Sequence, residues 1–507
     1  MPGTLVDTFK WWAVERADQA AIVEGDDRLT YRELNDWAEC VADSLLADGL
    51  QAGDRVTIIA TNSMKWVIAA QGVMLAGGIV APVNPRFTVS EASFIVADRY
   101  QSAVIFHDDE RQPLAAAVAG KIPGCRLRSL EEVTELRHQT PRMEQPRPKI
   151  TRRSDAVIIP TSGSTGRPKG VVYTHGGLVD YAADTAIARP GAIHNAKVFL
   201  FGPLCTSAGY VVMTQYLNYG GTVYIEGIFD AQVALDKIQR EKISVMMGAP
   251  IFFERIMDLP DFADADLSSL GYCLVGGAQV SRKLLDSWLN KGVILRQLYG
   301  QTEAGGQATI NTDDGAINSP EKCGRGAPFT KLAVIGPDGD FLPANTPGEI
   351  VIKSAGMMDR YWQDEEATAK TLVDGWLRTG DLGEIDEQGL LTFIDRLKDI
   401  IISGGLNISA AEVERVVAEV PGVIEVAVIA AADAKFGETP MAIVYSAEGV
   451  TPEAIVAHCN AELSGFKVPR YIVVENQPLP RLATGKIAKM QLRETYRDAD
   501  KTLPKVR

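Results

Sequence analysis

The fold class is decided by LTYRELNDWAECVADSLLADGL (residues 29–50) and by the run DRVTIIA (54–60) that follows it. In the first segment, apolar residues recur at helical spacing, at Leu34, Trp37, Ala38, Val41 and Leu45. Gly49 then supplies a helix stop signal. The second segment is a short apolar run, which predicts a buried strand. Helices that alternate with such strands indicate parallel, doubly wound sheets.

The same alternation continues along the chain and predicts an α/β fold. We expect a helix through 64–76, a strand at GGIVAPV (77–83), a helix near 90–98 and a strand at SAVIFH (102–107). A second α/β stretch is predicted from Ala156 to about Thr309. The large N-terminal region is therefore expected to hold two doubly wound α/β subdomains.

The last third of the chain changes character twice. Residues 320–395 are rich in glycine and in short apolar runs (KLAVIG, GEIVIKS, LLTFID), which predicts a small β-rich subdomain built as an antiparallel barrel or sheet. After Asp395 the pattern reads helix (EVERVVAEV), strand (VIEVAVIAA), strand (MAIVYSA) and helix (PEAIVAHCNAELS). This order predicts a small α+β C-terminal domain of about 110 residues, which is a common domain size.

The bulk composition excludes several classes of protein. A net charge of −14 argues against general nucleic-acid binding, because such binding needs many cationic side chains. The six cysteines contain no CxxC pair and the five histidines form no metal-binding spacing. We therefore expect a reduced, cytoplasmic protein without structural zinc or disulfides. The first residues show no signal-peptide pattern.

Two segments allow more than one interpretation. The apolar run WVIAAQGVMLAGGIVAPV (66–83) is at or below the length that a bilayer needs, and its three glycines and Pro82 favour a buried helix that runs into a strand. No integral membrane segment is therefore expected. The segment ELRHQTPRMEQPRPKITRRSD (135–155) contains three prolines and many charges. It fits a solvated surface connection or a basic contact patch.

The strongest chemical signal is AVIIPTSGSTGRPKGVVYTH (156–175). A short apolar strand ends in small and hydroxyl residues that precede a lysine: Thr161, Ser162, Gly163, Ser164, Thr165, Gly166 and then Lys169. Glycines let backbone N–H groups approach a phosphate, hydroxyls add hydrogen-bond donors, and the lysine adds positive charge. The spacing differs from that of the GxxxxGK[ST] loop, and the string predicts either a phosphate-binding loop of another kind or a flexible Gly/Ser turn.

This segment resembles the phosphate loop of the adenylate-forming superfamily, which includes acyl- and aryl-CoA synthetases, adenylation domains of peptide synthetases, and firefly luciferase. Four further strings match in the family's order: YGQTE (299–303), GWLRTGD (375–381), DRLKDIIISGGLNIS (395–409) and PRLATGK (480–486). The resemblance implies an AMP-binding adenylation domain over 1–395. It also implies a mobile C-terminal AMP-binding-enzyme domain over 396–507, with a hinge near Lys398.

The resemblance assigns roles to individual residues for ATP and Mg²⁺. It implies that Tyr299 stacks on adenine, that Thr302 contacts the α-phosphate, and that Glu303 and Thr165 serve the metal. The other implied nucleotide contacts are Gly277 and Ala278 in the run VGGA, Gly300, Asp381 and Arg396 at the ribose, and the phosphate-loop residues named above. Carboxylate and hydroxyl oxygens are suitable partners for Mg²⁺ and for ribose hydroxyls.

Catalysis in the family is carried by a lysine near the end of the chain, which matches Lys486. It bridges the substrate carboxylate and ATP while charge develops at the α-phosphorus. Lys398 matches the hinge between the two half-reactions, and Gly404-Gly405 match a loop that moves into the site for thioester formation. Gly437 and Glu438 resemble a turn of members that use coenzyme A.

The resemblance weakens at FLFGPLCTSAGYVV (199–212). Many relatives have Pro-Leu-Phe-His where this chain has Pro-Leu-Cys-Thr, so a gating aromatic and a histidine are absent. The small residues predict a roomy acyl pocket, lined by Cys205, Thr206, Ser207 and Ala208, with Tyr210, Ile251 or Phe252 as the alternative wall. No carboxylate occurs between Phe199 and Glu226, which disfavours an amino-acid substrate because its ammonium would lack a partner.

We therefore expect an acyl-CoA synthetase of fatty acid or aromatic acid metabolism, whose partners are a bulky, cyclic or long carboxylic acid and coenzyme A. Its cofactors would be ATP, Mg²⁺ and coenzyme A. Two alternatives stay open at this point: an enzyme that loads a separate carrier protein, and a luciferase-like oxygenase. A homodimer also stays open.

Overall fold

The computed structural model describes residues 3–141, 146–161, 168–193, 195–278, 280–446, 449–481 and 486–507. The chain forms two compact units. The larger contains the chain up to Leu332 together with Ile352–Arg378, and the smaller contains Ala333–Val351 and Thr379–Arg507. The domain division implied by the resemblance, 1–395 and 396–507, stays a prediction.

The first α/β stretch alternates as its sequence pattern predicts. Its helices and strands are α1 (Leu5–Glu15), β1 (Ala20–Glu24), β2 (Asp27–Thr30), α2 (Tyr31–Ala47), β3 (Arg55–Ile59), α3 (Met64–Leu75), β4 (Ile79–Pro82), α4 (Val89–Ser93), β5 (Val104–His107), α5 (Gln112–Ala119), β6 (Arg126–Ser129) and α6 (Leu130–Glu135). Helix α2 begins with a capping box, in which the Thr30 and Glu33 side chains satisfy each other's backbone N–H groups.

The second stretch and the segments that follow it continue the chain as far as Val373. They are β7 (Asp155–Thr161), β8 (Lys169–Thr174), α7 (His175–Ala188), β9 (Lys197–Leu200), α8 (Ser207–Asn218), β10 (Thr222–Ile225), α9 (Ala231–Glu241), β11 (Val245–Gly248), α10 (Pro250–Met257), β12 (Tyr272–Gly276), α11 (Arg282–Asn290), β13 (Leu295–Leu298), α12 (Asp313–Asn318), β14 (Lys331–Ile335), β15 (Gly348–Lys353), β16 (Arg360–Tyr361), α13 (Glu365–Thr371) and β17 (Leu372–Val373). Strands β14 and β15 lie mainly in the smaller unit.

The remaining elements belong mainly to the smaller unit. They are β18 (Trp376–Ile385), β19 (Leu391–Arg396), β20 (Ile401–Ser403), β21 (Leu406–Ile408), α14 (Ala410–Ala418), β22 (Val423–Asp433), β23 (Gly437–Ser446), α15 (Pro452–Glu462), β24 (Tyr471–Glu475), α16 (Lys489–Thr495) and α17 (Ala499–Thr502).

Two mainly parallel sheets form the larger unit, which confirms the predicted α/β fold. The first has the order β16-β8-β7-β4-β3-β5-β6, and its last five strands are parallel. The second has the order β13-β12-β11-β9-β10-β1-β2, and only the β1–β2 pair is antiparallel. Each sheet therefore takes strands from both stretches, because β7 pairs with β4 and β1 pairs with β10.

The apolar run of residues 66–83 behaves as predicted. Its helix α3 is buried over nearly its whole length, and the fully buried strand β4 follows it. No helix among the described residues is long and apolar enough to cross a membrane. The predicted helix near 90–98 is a short α-helix, α4, that continues as a π-helix over Phe94–Tyr100.

The described residues of the charged segment, 135–141 and 146–155, contact the rest of the larger unit through three arginines. Arg137 donates to Asp27 at 2.8 Å, and Arg147 lies 2.7 Å from Asp43. Arg152 forms an ion pair with Asp180. Because these guanidinium groups already have carboxylate partners, the segment fits the surface-connection interpretation better than a basic contact patch.

The smaller sheets are also as predicted. One antiparallel sheet has the order β14-β15-β18-β17, with β19 also paired to β18. The other has the order β21-β20-β23-β22, with β24 added in parallel to β23. Helices α14 and α15 pack on this second sheet through a core that includes Val413, Val417, Ile455 and Cys459. The chain therefore ends in the small α+β domain that its pattern predicts.

Candidate active site

The ends of two neighbouring strands bring together the residues predicted at the adenine. Strands β12 and β13 are parallel neighbours with Gly276 opposite Leu298, so the residues that follow each strand emerge at the same sheet edge. Gly277 and Ala278 follow β12, and Tyr299 and Gly300 follow β13. Gly277 has φ +81°, a conformation that glycine adopts without strain.

Gly300 lies against a second segment of backbone. A Cβ atom built there would stand 1.8 Å from the carbonyl oxygen of Gly306. Ala308 donates its backbone N–H to the Tyr299 carbonyl at 2.9 Å, so the chain doubles back over this point. Only a residue without a side chain fits, and the backbone of the YGQTE string is thereby fixed.

The next residues, Thr302 and Glu303, form a single 3₁₀ turn over Thr302–Ala304. Three contacts within the larger unit fix this turn. Tyr173 of β8 donates its hydroxyl to the Thr302 carbonyl, and the Met358 N–H donates to the Glu303 carbonyl at 2.9 Å. The Tyr361 hydroxyl donates to Glu303 Oε1 at 2.8 Å. The turn therefore presents one hydroxyl and one carboxylate on a rigid support.

The predicted phosphate loop connects strands β7 and β8. Thr161 and Lys169 lie opposite each other in the antiparallel β7–β8 pair. The predicted contacts Ser162, Gly163, Ser164, Thr165 and Gly166 lie outside the described residues. Lys169 places its Nζ atom 4.7 Å from the centre of the Tyr361 ring. The hairpin therefore carries a lysine to the same tyrosine that holds Glu303.

The small residues predicted to line the acyl pocket lie around the start of α8. Thr206 caps this helix, and Ser207 places its Oγ atom 3.1 Å from Thr302 Oγ1. Ala208 is exposed, whereas Cys205 is buried. Burial raises the pKa of the Cys205 thiol to about 12, which argues against a role for this cysteine as a nucleophile.

Tyr210 lies deeper in α8 than the other predicted pocket residues. It is fully buried, its hydroxyl lies 3.6 Å from Met74 Sδ, and its ring packs 6.1 Å from that of Trp66. Its assignment to the acyl pocket stays a prediction, as do those of Cys205, Thr206 and Ala208.

In the smaller unit, three predicted residues come together on the β18–β19 pair. Asp381 lies directly across from Arg396 in the strand register, with 3.7 Å between Asp381 Oδ1 and Arg396 Nε. Lys486 lies near both, and burial together with the positive charge of Arg396 lowers its pKa, while Asp381 opposes this shift. The carboxylate of Asp381 therefore lies close to the cationic groups of Arg396 and Lys486. Such a cluster suits a ligand that carries both hydroxyl groups and a charged phosphate.

The turn before Asp381 is built to hold it in place. Gly380 has φ +69° and donates its N–H to Glu349 Oε1 at 3.1 Å. The Thr379 hydroxyl donates to the Ile350 carbonyl at 2.6 Å and accepts the Asp381 N–H at 3.1 Å. Asp381 is only 7% exposed, so its carboxylate direction is fixed by packing as well.

The predicted hinge is a one-turn 3₁₀ helix over Leu397–Asp399, between β19 and β20. Partial burial and the nearby Arg396 lower the pKa of Lys398. The adjacent Asp399 pairs with Arg493 of α16 at 2.7 Å. A short turn with one anchored end is a suitable place for a change in backbone direction.

The predicted thioester-step loop is the tip of the β20–β21 hairpin. Gly404 and Gly405 both have positive φ, at +60° and +82°. Glu438 accepts the N–H of Ile402 at 2.9 Å, so the turn at Gly437 and Glu438 supports the base of this hairpin. Two features that the sequence separates by about thirty residues are thus in direct contact.

The donor set fits Mg²⁺ delivered with a nucleotide. Among the described residues, no group of three or more His, Cys, Asp or Glu side chains could hold a metal ion by itself. Mg²⁺ commonly uses one or two carboxylates together with substrate phosphates and water. Glu303 supplies one carboxylate on a fixed turn, and the second predicted metal residue, Thr165, lies outside the described residues.

Sequence reasoning missed two tyrosines that hold the site. Tyr173 lies in the quoted phosphate-loop string (156–175) without an assigned role, and Tyr361 falls in none of the five strings. The position of Tyr361 depends on β16 pairing with β8, and β16 is only two residues long. A pair so short has no periodicity that could reveal it.

Comparison with known proteins places these features in a family. Residues 9–362 match the model of the AMP-binding enzymes, and residues 412–486 match that of the AMP-binding enzyme C-terminal domain. The chain is 34% identical to a long-chain-fatty-acid–CoA ligase of Mycobacterium tuberculosis over 95% of each protein. It is 32% identical to a feruloyl-CoA synthase of an Amycolatopsis species, over 96% of this chain and 98% of that protein.

A solved structure gives the same result for the fold. The ATP-bound MatB of Rhodopseudomonas palustris superposes with a TM-score of 0.90 at 27% identity, over 99% of this chain and 100% of that one.

Proposed function

This chain belongs to the AMP-binding enzyme family, and from this premise we propose how its residues divide the work of an AMP-forming acid–CoA ligase. In the first step the acid carboxylate attacks the α-phosphorus of ATP, forming acyl-AMP and releasing pyrophosphate. In the second step the thiol of coenzyme A attacks the acyl carbon and releases AMP.

One observation carries this proposal: the similarity to acid–CoA ligases covers essentially the whole chain, including the C-terminal region. A homologue that only bound nucleotide would not need the C-terminal domain matched over residues 412–486. The residues predicted for both half-reactions are accordingly present in one chain. The similar proteins are named as CoA ligases, and this favours coenzyme A over a carrier protein as the acceptor.

In the adenylation step, the larger unit supplies donors for the phosphates. Thr302 offers a hydroxyl at the α-phosphate, held by the contact of its carbonyl with Tyr173 and by Ser207 Oγ at 3.1 Å. Lys169 supplies positive charge from the start of β8. Lys486 meets the substrate carboxylate and the α-phosphate and stabilises the charge that develops there.

The ribose is proposed to bind at Asp381 and Arg396. The two oxygens of one carboxylate can accept hydrogen bonds from both ribose hydroxyls, and the buried position of Asp381 keeps competing water away. Glu303 would hold Mg²⁺ together with the phosphates. When bound, Mg²⁺ neutralises part of the phosphate charge and makes pyrophosphate a better leaving group.

Between the two steps the C-terminal domain, residues 396–507, is proposed to rotate about Lys398. Support comes from the short 3₁₀ turn at Leu397–Asp399, which links two strands of different sheets. The rotation would replace Lys486 at the site by the hairpin of Gly404 and Gly405. One protein can in this way assemble different catalytic groups for different steps.

The acid is proposed to be long or aromatic. The two similar ligases named above act on long-chain fatty acids and on a feruloyl group. In this chain, the small side chain of Ser207 lies beside Thr302, where the acyl carbon must be placed, and the adjacent Ala208 is exposed. A Cβ atom at Gly306 would come no closer than 3.9 Å to Ser207, so this wall also leaves space.

We also propose that the enzyme works in the cytoplasm. Support comes from its six cysteines, all free thiols scattered over the chain, which suit a reducing compartment.

A panel of acids tests the proposal. The purified protein is incubated with ATP, Mg²⁺ and coenzyme A, and acyl-CoA and AMP are quantified for acetate, octanoate, palmitate, benzoate and ferulate. We expect equal amounts of acyl-CoA and AMP, with kcat/KM for the larger acids well above that for acetate. The reason is that each unfilled methylene forfeits roughly 0.8 kcal/mol of apolar burial. Preference for acetate would contradict the proposed pocket.

A variant locates the pocket. Ala208→Phe adds a large exposed side chain beside Ser207 and should shift preference towards smaller acids. Val233→Phe, at an exposed position on α9, is the matched control and should leave the preference unchanged. An unchanged acid profile in Ala208→Phe would show that this residue does not face the acyl group.

A further inference from the structure

Tyr361 stands between two residues that the reaction needs and touches both. Its hydroxyl donates to Glu303 Oε1 at 2.8 Å, and its ring lies 4.7 Å beneath the ammonium of Lys169. The first contact is a hydrogen bond to a carboxylate, and the second is a cation–π contact within the usual 6 Å. One side chain therefore links the predicted metal carboxylate with the phosphate-loop lysine.

The backbone of Tyr361 is fixed from several sides. It pairs with Val171 of β8, and its N–H donates to the Thr368 hydroxyl at 3.0 Å. Its neighbour Trp362 donates its N–H to the Gly170 carbonyl at 2.7 Å. The tyrosine is only 6% exposed, so its hydroxyl has little freedom to turn towards water.

The chemistry of the pair favours a role towards a cation. The Tyr361 hydroxyl contacts one of the two carboxylate oxygens of Glu303. It donates to Oε1 and thereby leaves Oε2 for another ligand. A carboxylate held in this way loses little conformational freedom when it binds a metal.

We infer that Tyr361 is a positioning residue that orients the Glu303 carboxylate towards Mg²⁺ bound with ATP. The inference rests on the proposed function, since Glu303 is the metal carboxylate only in an adenylating enzyme. The Lys169 contact adds a second element, because the same ring sets the place of a cation that faces the phosphates. Tyr361 thus contacts both the Glu303 carboxylate and the Lys169 ammonium, the two charged groups that are proposed to serve the triphosphate.

The test compares ATP binding with and without Mg²⁺ in the Tyr361→Phe variant. Phenylalanine keeps the ring, and therefore the Lys169 contact, and removes only the hydroxyl. Kd for ATP is measured by calorimetry in excess Mg²⁺ and again in EDTA, together with the thermal unfolding temperature. Tyr31→Phe is the matched control. Tyr31 is the first residue of α2, and its buried hydroxyl donates to the Gly221 carbonyl at 2.7 Å, so this variant also removes one buried tyrosine hydroxyl.

We expect Tyr361→Phe to weaken ATP binding in Mg²⁺ by about 10- to 100-fold and to leave binding in EDTA unchanged, since loss of an outer partner costs about this factor in metal affinity. Tyr31→Phe should change neither affinity. A Tyr361→Phe protein with wild-type affinity in Mg²⁺ would overturn the inference. So would an equal loss in Mg²⁺ and in EDTA, because that result indicates a purely structural role.

A double-mutant cycle makes the result specific to Glu303. In a Glu303→Gln background, Tyr361→Phe should have almost no further effect on Mg²⁺-dependent binding, because the carboxylate that it orients is gone. Additive losses would contradict the inference. The proposed function can fail separately: a wild-type protein that binds Mg²⁺ and ATP but releases no AMP with any acid would refute the reaction. The binding cycle would still decide the role of Tyr361.

Discussion

The replacement Gly300→Ala tests whether the YGQTE turn is fixed as tightly as the structure indicates. The new Cβ atom would stand 1.8 Å from the Gly306 carbonyl oxygen and 2.9 Å from Gln307 Cα. Both neighbours are backbone, so neither can rotate away. Ordinary contact begins at 3.4 Å, and the two segments must therefore separate by about 1.6 Å, the difference between 3.4 and 1.8 Å.

Two consequences follow from that separation. Overpacking of this kind costs about 1 to 3 kcal/mol, which corresponds to a fall in Tm of roughly 2 to 10 °C in a large domain. The displaced turn also carries Thr302 and Glu303. Misplacement of reacting groups by about 1 Å costs on the order of 100-fold in rate. We expect adenylation to fall by about this factor even at a temperature where the variant is fully folded.

The assay is acid-dependent pyrophosphate release at 15 °C, measured beside a thermal unfolding scan. Gly271→Ala is the matched control, because a Cβ atom at Gly271 meets nothing within 4 Å and the residue has no positive φ. It should keep both rate and Tm. A Gly300→Ala enzyme with wild-type rate and stability would refute the reasoning, since the two segments would then have to be free to move apart.

Four further predictions concern charge, motion and stability. Lys486→Ala should lose adenylation but still convert presynthesised acyl-AMP and coenzyme A; equal loss of both half-reactions would assign this lysine another role. Because burial and Arg396 lower the pKa of Lys486, adenylation should decline with rising pH below the ordinary lysine pKa, and Lys486→Arg should abolish this alkaline limb. Lys398→Pro should spare adenylation and slow thioester formation, because proline fixes φ at the proposed pivot; normal overall turnover would exclude this pivot. His175 is 1% exposed and its pKa is lowered to about 4, mainly by burial, so its contribution to stability is complete above its unfolded pKa of about 6.5. About 3 kcal/mol should be lost as the pH falls from 6.5 to 4, and a His175→Phe protein with the same pH dependence of unfolding would contradict this assignment.

Local pattern predicted the elements of this fold well, because burial imposes a period on the sequence. The apolar run of α3 and the strand β4 after it could be predicted without any partner, since all of their residues except Lys65 and Gln71 are apolar or glycine. The α+β character of the C-terminal region was evident for the same reason.

Long-range pairing was beyond the sequence pattern. Nothing in β1 indicates that it pairs with β10, about 200 residues away, and nothing in β7 indicates that it joins the sheet of the first stretch. The order of strands in a sheet depends on how the faces of the sheet and of its helices pack. The periodicity of apolar residues along one segment shows only that one face of that segment is buried. The sheets therefore exchange strands that the two predicted stretches kept apart.

The same limit applies to the candidate site. Asp381, Arg396 and Lys486 were predicted from short strings, and the structure places them together in the smaller unit. Tyr361 and Tyr173 were missed because their roles exist only through contacts with Thr302 and Glu303, more than fifty residues away. A tyrosine at a strand edge carries no sign of such a contact in its own neighbourhood.

The most direct test of the central claim is exchange of labelled pyrophosphate into ATP by the wild-type protein in the absence of coenzyme A. Reversible formation of acyl-AMP requires this exchange, and it needs Mg²⁺ and the acid. We predict exchange that depends on octanoate or ferulate, that is much weaker with acetate, and that disappears in Lys486→Ala. Formation of acyl-CoA without any acid-dependent exchange, or exchange that Lys486→Ala retains in full, would contradict the account.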